Sequence, residues 1–470
     1  MSAYEQTESL VNTDLTKKWL FWGILWTLVF PLIGLMTSVK FNYPDWLGTE
    51  SWLTWGRIRP AHVNGVIMGS FSTTFFGLCF YMIPKLTGIR MVAERWGYAA
   101  LWLWNIGVVG GTIGILIGQN KGIEAGDYPL WADLFLFAAF FILTYMIIAT
   151  IVQRKEKVLY ISLYYAAGAM VWTAINFPLG NILLPFHQFG IYGVNSAALH
   201  GLYIHYIVGL WITPAGLALI YFFLPLAAKN PLYSHKLSLV GFWSLAFFYP
   251  FVGIHHYLYS PIPNWTQTIA IVTSMMLIVP VWTVTQNFFG TMVGNWRALQ
   301  DSYVAKFCIM GAIYYFLGCF QGSTEALRGM QQLTHFTDFV ISHSHLTIFG
   351  TFVIWTMAGL YYVWPRVTGH ALWSRKLATW HFWLIAVSFS VMAGVLTLMG
   401  LMQGTMWADQ VDFVDTVVAM KPYWFVRTLS GVGMDLGILF MLINFYMTAI
   451  EPSPLPEMDR EKSLTPAAAD

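Results

Sequence analysis

Six of the twelve histidines stand at spacings that suit metal coordination: His62, His205, the adjacent His255 and His256, and His343 with His345. Neutral imidazole is the commonest metal ligand in proteins. On an α-helix, at about 100° per residue, His343 and His345 point to nearly opposite faces. One ion cannot take both, whereas two cofactors flanking the helix can each take one. His255 and His256 are about 100° apart on the same geometry. That suits a grip on one ion, completed by a third imidazole such as His205. Tyr249 stands seven residues before His256, within about 20° of it on a helix, so its phenol is expected beneath the same ion.

The elements that position these groups are membrane spans. Of 470 residues, 57% are hydrophobic, 17% aromatic and 10% charged, with a mean hydropathy of +0.60. Soluble chains carry about 25% charged residues, so lipid is the expected surrounding. Twelve apolar runs, at 19–40, 60–84, 96–118, 130–153, 160–183, 197–226, 237–258, 266–289, 303–320, 338–365, 377–403 and 424–449, are each long enough to cross as a helix. The expected fold is therefore all-α and integral to the membrane. A twelve-helix domain over 19–450 follows a polar segment at 1–18, which has no cleavable signal pattern. The Pro- and charge-rich stretch 451–470 is expected to be a disordered tail.

A net charge of +2 and the lack of a long basic stretch exclude nucleic acid as a partner. Cys79, Cys308 and Cys319 form no CxxC. That argues against a disulfide framework, a cysteine zinc site and a covalently attached c-type haem on this chain. With twelve spans both ends lie on one side, which collects seventeen of the 24 Lys and Arg residues against seven opposite. The positive-inside rule makes that side cytoplasmic. All six histidines then fall in the outer part of the membrane, on four different spans. Interhelical hydrogen bonding explains a lone buried histidine; it explains six at one depth poorly.

The stretches RIRPAHVN (57–64), YPFVGIHH (249–256) and THFTDFVISHSH (334–345) resemble the signatures of the central subunit of haem–copper oxidases, in particular the C-type or cbb-type cytochrome c oxidases. The resemblance covers all twelve spans. It implies a subunit of the bacterial cell membrane that reduces O2 to water. His62 and His345 would be axial ligands of a low-spin haem b, and His343 the ligand of a high-spin b-type haem. His205, His255 and His256 would hold copper. Tyr249 would be the active-site tyrosine, bonded covalently to His205. Arg57 and Arg59 would pair with haem propionates, their other use being as anchors at a span edge. Glu124 would help hold a calcium ion there, with Asp127 where the family usually has another glutamate, and His335 and Asp338 match a motif near the propionates. Electrons would come from membrane-anchored subunits carrying c-type haem. Protons would come from the cytoplasm past Tyr233, His235, Ser238 and Ser244, unless the serine hydroxyls merely bond their own helix.

Two positions depart from the family. Gln321 stands where a buried glutamate is expected, with Glu325 nearby as a substitute, and His235 replaces a tyrosine of the proton-entry path. The rival enzyme is a nitric oxide reductase with non-haem iron in place of copper. Members of that family place a glutamate four residues after the first histidine of the triad, where this chain has Gly209. A haem-binding conduit without oxygen chemistry would need neither the His-His pair nor the phenol. Gly110, Gly111 and Gly114 are expected at close helix contacts. His187, His200, His370 and His381 show no partner pattern, and most methionines and aromatics are expected to pack against lipid or haem.

Overall fold

A computed structural model describes residues 9–183 and 192–451. His187 and nearly all of the expected tail lie outside the described residues. One long helix covers each expected run: α1 Thr13–Asn42, α2 Trp55–Thr87, α3 Trp96–Leu116, α4 Leu130–Val152, α5 Ile161–Leu183, α6 Gly193–Ala228, α7 His235–Tyr257, α8 Asn264–Met292, α9 Tyr303–Glu325, α10 Asp338–Thr368, α11 Arg375–Ala408 and α12 Phe413–Ile450. Hydropathy misplaces mainly the ends. The backbone ladder does not stop where apolar residues do, so α12 starts at Phe413 rather than 424 and α11 runs to Ala408 rather than 403.

Consecutive helices pack side by side, and α12 returns to lie against α1. Gly110, Gly111 and Gly114 on α3 do mark a close contact: a side chain at any of them would run into Trp131, Tyr128 or Pro129. Three helices sit in the middle. In the apolar stretches of α2, α6 and α10, 100%, 89% and 83% of residues are buried, against 28–61% elsewhere. These three carry four of the six expected ligands.

Each central helix widens just after its ligands. Segments of π-helix run over Gly65–Ser72 in α2, Ile207–Ile212 in α6 and Ile348–Val353 in α10, and the three touch one another. A π-turn closes five residues apart and is found mostly at functional sites. Local hydroxyls satisfy the displaced carbonyls. Ser72 donates to Ile67 O (2.7 Å), Thr213 to Val208 O (2.8 Å) and Thr351 to Leu346 O (2.9 Å), each bond reaching five residues back.

An aromatic layer fills the space beneath. Trp211 packs edge-on against Phe75, with ring centroids 5.4 Å apart, and its indole donates to the Ser72 hydroxyl at 2.9 Å. Trp355 donates to Cys308 O at 3.1 Å. A buried indole N–H needs an acceptor, and both have one.

Removing one acceptor tests this layer. Ser72→Ala strands the Trp211 donor and is expected to cost about 1–3 kcal/mol, read as a lower thermal unfolding midpoint of the purified protein. Adding Trp211→Phe should recover part of that loss; no recovery would mean the bond contributes little.

Candidate metal and cofactor site

His205, His255 and His256 converge. One ligand nitrogen from each lies within 4.8 Å of the others, and among the described residues no other group of three or more metal-ligating side chains does so. The Nε2 atoms of His205 and His256 face each other at 2.6 Å, as two ligands directed at one point would. The His205 and His255 rings are perpendicular, with centroids 4.5 Å apart. His255 Nδ1 is bonded to the Ser274 hydroxyl on α8 at 2.7 Å. An all-imidazole donor set suits copper, and also iron or zinc.

The local backbone is not the α-helix that the spacing argument assumed. Tyr249–Tyr257 form a 3₁₀ segment at the C-terminal end of α7. At about three residues per turn, Tyr249 and His256 do not share a face. The phenol reaches the triad differently: its ring occupies the space that a side chain on Gly209 of α6 would fill. It lies 5.8 Å from the His205 ring, centroid to centroid. Gly209 is thus the notch that admits Tyr249.

His62 and His345 are prepared alike. His62 Nδ1 donates to Phe30 O and His345 Nδ1 to Ile341 O, both at 2.8 Å. Carbonyls only accept, so the proton sits on Nδ1 and Nε2 keeps its lone pair. The His62 ring lies over Gly34, where a Cβ would be 2.6 Å from Nδ1. His343 lies over Gly322, where a Cβ would be 2.6 Å from its Cε1. The His343 and His345 rings flank α10, as their spacing predicts. One continuous cavity meets all six histidines and Tyr249. With Nε2 lone pairs on His62 and His345 and glycine cradles under His62 and His343, these residues fit two flat cofactors on either side of α10.

The expected propionate residues separate. Arg59 lines the cavity and pairs with Glu124 at 2.8 Å. Arg57 does not: it donates to Leu116 O at 2.9 Å, capping the C-terminal end of α3. That is the span-edge use, because the carbonyls ending α3 need donors. Asp338 does not line the cavity either. It accepts from Gln403 Nε2 (2.8 Å) and Trp424 Nε1 (3.1 Å) and stands 3.8 Å from Arg427.

Arg427 is the residue that sequence reasoning missed. Charge counting places it only among the outer-side cations, yet its side chain is 11% exposed, lines the cavity and makes its Nη1 ion pair with Asp338 at 3.8 Å. A lone arginine inside a span was the available signal. Asp435, eight residues further along α12, also lines the cavity.

Between α3 and α4, Asp127 is held by Asn64 Nδ2 at 2.6 Å, and burial raises its carboxyl pKa. Glu124 and Asp127 are therefore engaged with different partners, and the chain by itself forms no carboxylate cluster for calcium among the described residues. His335 is half-buried against Phe336, and burial lowers its basicity.

The other expected residues take ordinary partners. Ser238 donates to His235 O and Ser244 to Val240 O, each at 2.6 Å, so both bond their own helix. Tyr233 is largely exposed. Gln321 turns away from the cavity and donates to Thr397 at 2.9 Å, and Glu325 does not line the cavity. His370 bonds Thr448 O at 2.9 Å, and His200 is partly buried. His381 is a buried partner of Tyr361 at 3.0 Å.

The family described as "Cytochrome C and Quinol oxidase polypeptide I" matches residues 14–433. The chain is 30% identical over 444 residues to cytochrome c oxidase subunit 1 of Rhodobacter capsulatus, covering 91% of this chain and 83% of that one. It is 25% identical over 460 residues to the cbb3-type cytochrome c oxidase subunit CcoN1 of Stutzerimonas stutzeri, covering 95% and 97%. A solved haem–copper terminal oxidase dimer superimposes with a TM-score of 0.75 at 16% identity, covering 94% of this chain and 85% of the other.

The two ion pairs at the cavity differ in burial, and that sets an expectation. Asp338→Asn leaves Arg427 buried without a countercharge and should cost about 3–5 kcal/mol. Glu124→Gln breaks a pair with side chains 36% and 56% exposed and should cost about 1 kcal/mol or less. Thermal midpoints compared side by side check the order; equal losses would refute it.

Proposed function

This chain belongs to the cytochrome c and quinol oxidase polypeptide I family of haem–copper oxidases, and we propose that it is the catalytic subunit of a cbb-type terminal oxidase reducing O2 to water. The observation that carries the reading is the phenol of Tyr249 set against a three-imidazole cluster, in one cavity with His343.

His62 and His345 would hold a low-spin haem b, His343 a high-spin b-type haem, and His205, His255 and His256 copper. Iron and copper at these positions supply electrons and an open coordination position for dioxygen. Held by both His62 and His345, that haem would serve electron transfer and leave dioxygen to the His343 side. The Nδ1 anchors at Phe30 and Ile341 keep those two rings from turning. Tyr249 contributes a proton and an electron when the O–O bond splits, so that peroxide is not released. Its ring contact with His205 is the adjacency that the implied covalent bond requires. Arg59 and Arg427 would face the propionates, the first paired with Glu124 and the second held by Asp338.

Electrons reach the site from outside through membrane-anchored subunits carrying c-type haem, since this sequence has no CxxCH. Proton uptake and translocation start from the cytoplasm, the side of the bacterial cell membrane on which both termini lie. The route runs along α7 from Tyr233, His235, Ser238 and Ser244 to Tyr249. Because both serines bond their own backbone, water must bridge these groups.

The nitric oxide reductase reading needs a glutamate at position 209 and non-haem iron. Here the phenol fills that space, which supports the oxidase.

Two variants test the proposal. Tyr249→Phe is expected to abolish oxygen consumption while both haem spectra persist; a normal rate would show that the phenol has no such role. Gly209→Glu should displace the phenol and cut oxygen turnover by at least tenfold. Metal analysis alongside oxygen and nitric oxide consumption decides between copper and iron, and iron with preferred nitric oxide turnover would overturn the oxidase assignment.

A further inference from the structure

Within the triad, the second ring nitrogens are treated unequally. His205 Nδ1 is buried with no partner, whereas His255 Nδ1 lies 2.7 Å from the Ser274 hydroxyl. Ser274 is 1% exposed, on α8, which supplies no ligand. Its Oγ also lies 2.6 Å from Ala270 O, one turn back. A hydroxyl has one hydrogen, and a carbonyl can only accept. The hydrogen of Ser274 therefore goes to Ala270, and its lone pair faces His255. The imidazole must then carry its proton on Nδ1, which leaves Nε2 bare.

We infer that Ser274 is a positioning residue for the metal centre, holding His255 in the one tautomer and ring orientation that presents Nε2 as a ligand. The inference rests on the proposal that the triad binds a metal. Neighbouring bonds stiffen the same corner: Ser323 of α9 donates to Ser274 O at 3.2 Å, and Gln331 Nε2 donates to His255 O at 3.1 Å. The 3₁₀ backbone of 249–257 lacks the ladder that steadies an α-helix, so His255 depends on contacts from outside its own segment. Without the hydroxyl the ring is free to turn or to move its proton to Nε2, where it blocks coordination. Partners of this kind typically contribute about 10–100-fold to metal affinity.

The test uses the purified complex with its haems. Metal retained at the triad is titrated against a chelator for wild type, Ser274→Ala and Ser274→Thr, and the infrared stretch of carbon monoxide photolysed onto copper is recorded. A threonine hydroxyl on a helix can make the same bond four residues back, so Ser274→Thr keeps the device. Ser274→Ala is expected to lose metal at about 10–100-fold lower chelator strength, with a shifted carbon monoxide stretch and unchanged haem content. Ser274→Thr should match wild type. Wild-type affinity and spectrum in Ser274→Ala would overturn the inference, as would equal loss in both variants. Should wild type hold iron instead, the copper assignment fails, but the same chelator comparison still decides the role of Ser274.

Discussion

A buried imidazole has two nitrogens, and the interior of a membrane protein offers water to neither. Every assignment at the centre of this bundle depends on how that constraint is met. His62 and His345 give one N–H each to a main-chain carbonyl, and His255 gives one to a hydroxyl that is itself committed. Each ring is left with a lone pair aimed into a shared cavity. At these three rings one bond both satisfies a buried N–H and leaves the other nitrogen free to act as a ligand. The Nε2 atoms of His205 and His256 stand 2.6 Å apart, within reach of one N–H···N bond and close enough to share one ion.

The rest of the architecture serves that cavity. Helices α2, α6 and α10 are the most enclosed, and each changes to a wider turn immediately inside its ligands. An extra residue per turn rotates the remainder of the helix, which lets one helix face the cavity with one stretch and the aromatic layer with the next. Serine and threonine hydroxyls reaching five residues back make the wider turn tolerable in a dry interior. Trp211, Phe75 and Trp355 then close the floor, each indole satisfied locally. Small residues do the complementary work at the walls. Gly34 and Gly322 let imidazoles lie flat on neighbouring helices, and Gly209 admits a phenol.

Charge at the rim of the cavity is arranged by depth. Arg59 pairs with the exposed Glu124, while Arg427 is enclosed and steadied by Asp338, which is in turn held by Gln403 and Trp424. Arg57, beside Arg59 in sequence, caps a helix instead. Two arginines in one motif therefore do different things, and a third from the far end of the chain, Arg427, lines the cavity that Arg57 does not reach.

The sequence alone was enough for the twelve spans and for singling out the six histidines that line one cavity. Those derive from apolar run length and from a helical period that holds wherever the helix is regular. Span ends were misplaced because hydropathy sees the lipid slab, while the helix obeys its backbone ladder. The face shared by Tyr249 and His256 did not survive, because Tyr249–Tyr257 wind as a 3₁₀ segment and angles taken from an α-helix fail there. Only the tertiary structure decided that Tyr249 enters through Gly209, that Arg427 lines the cavity in place of Arg57, and that Ser274 holds His255. Each depends on how separate helices meet, and spacing along one helix carries no information about what another helix places against it.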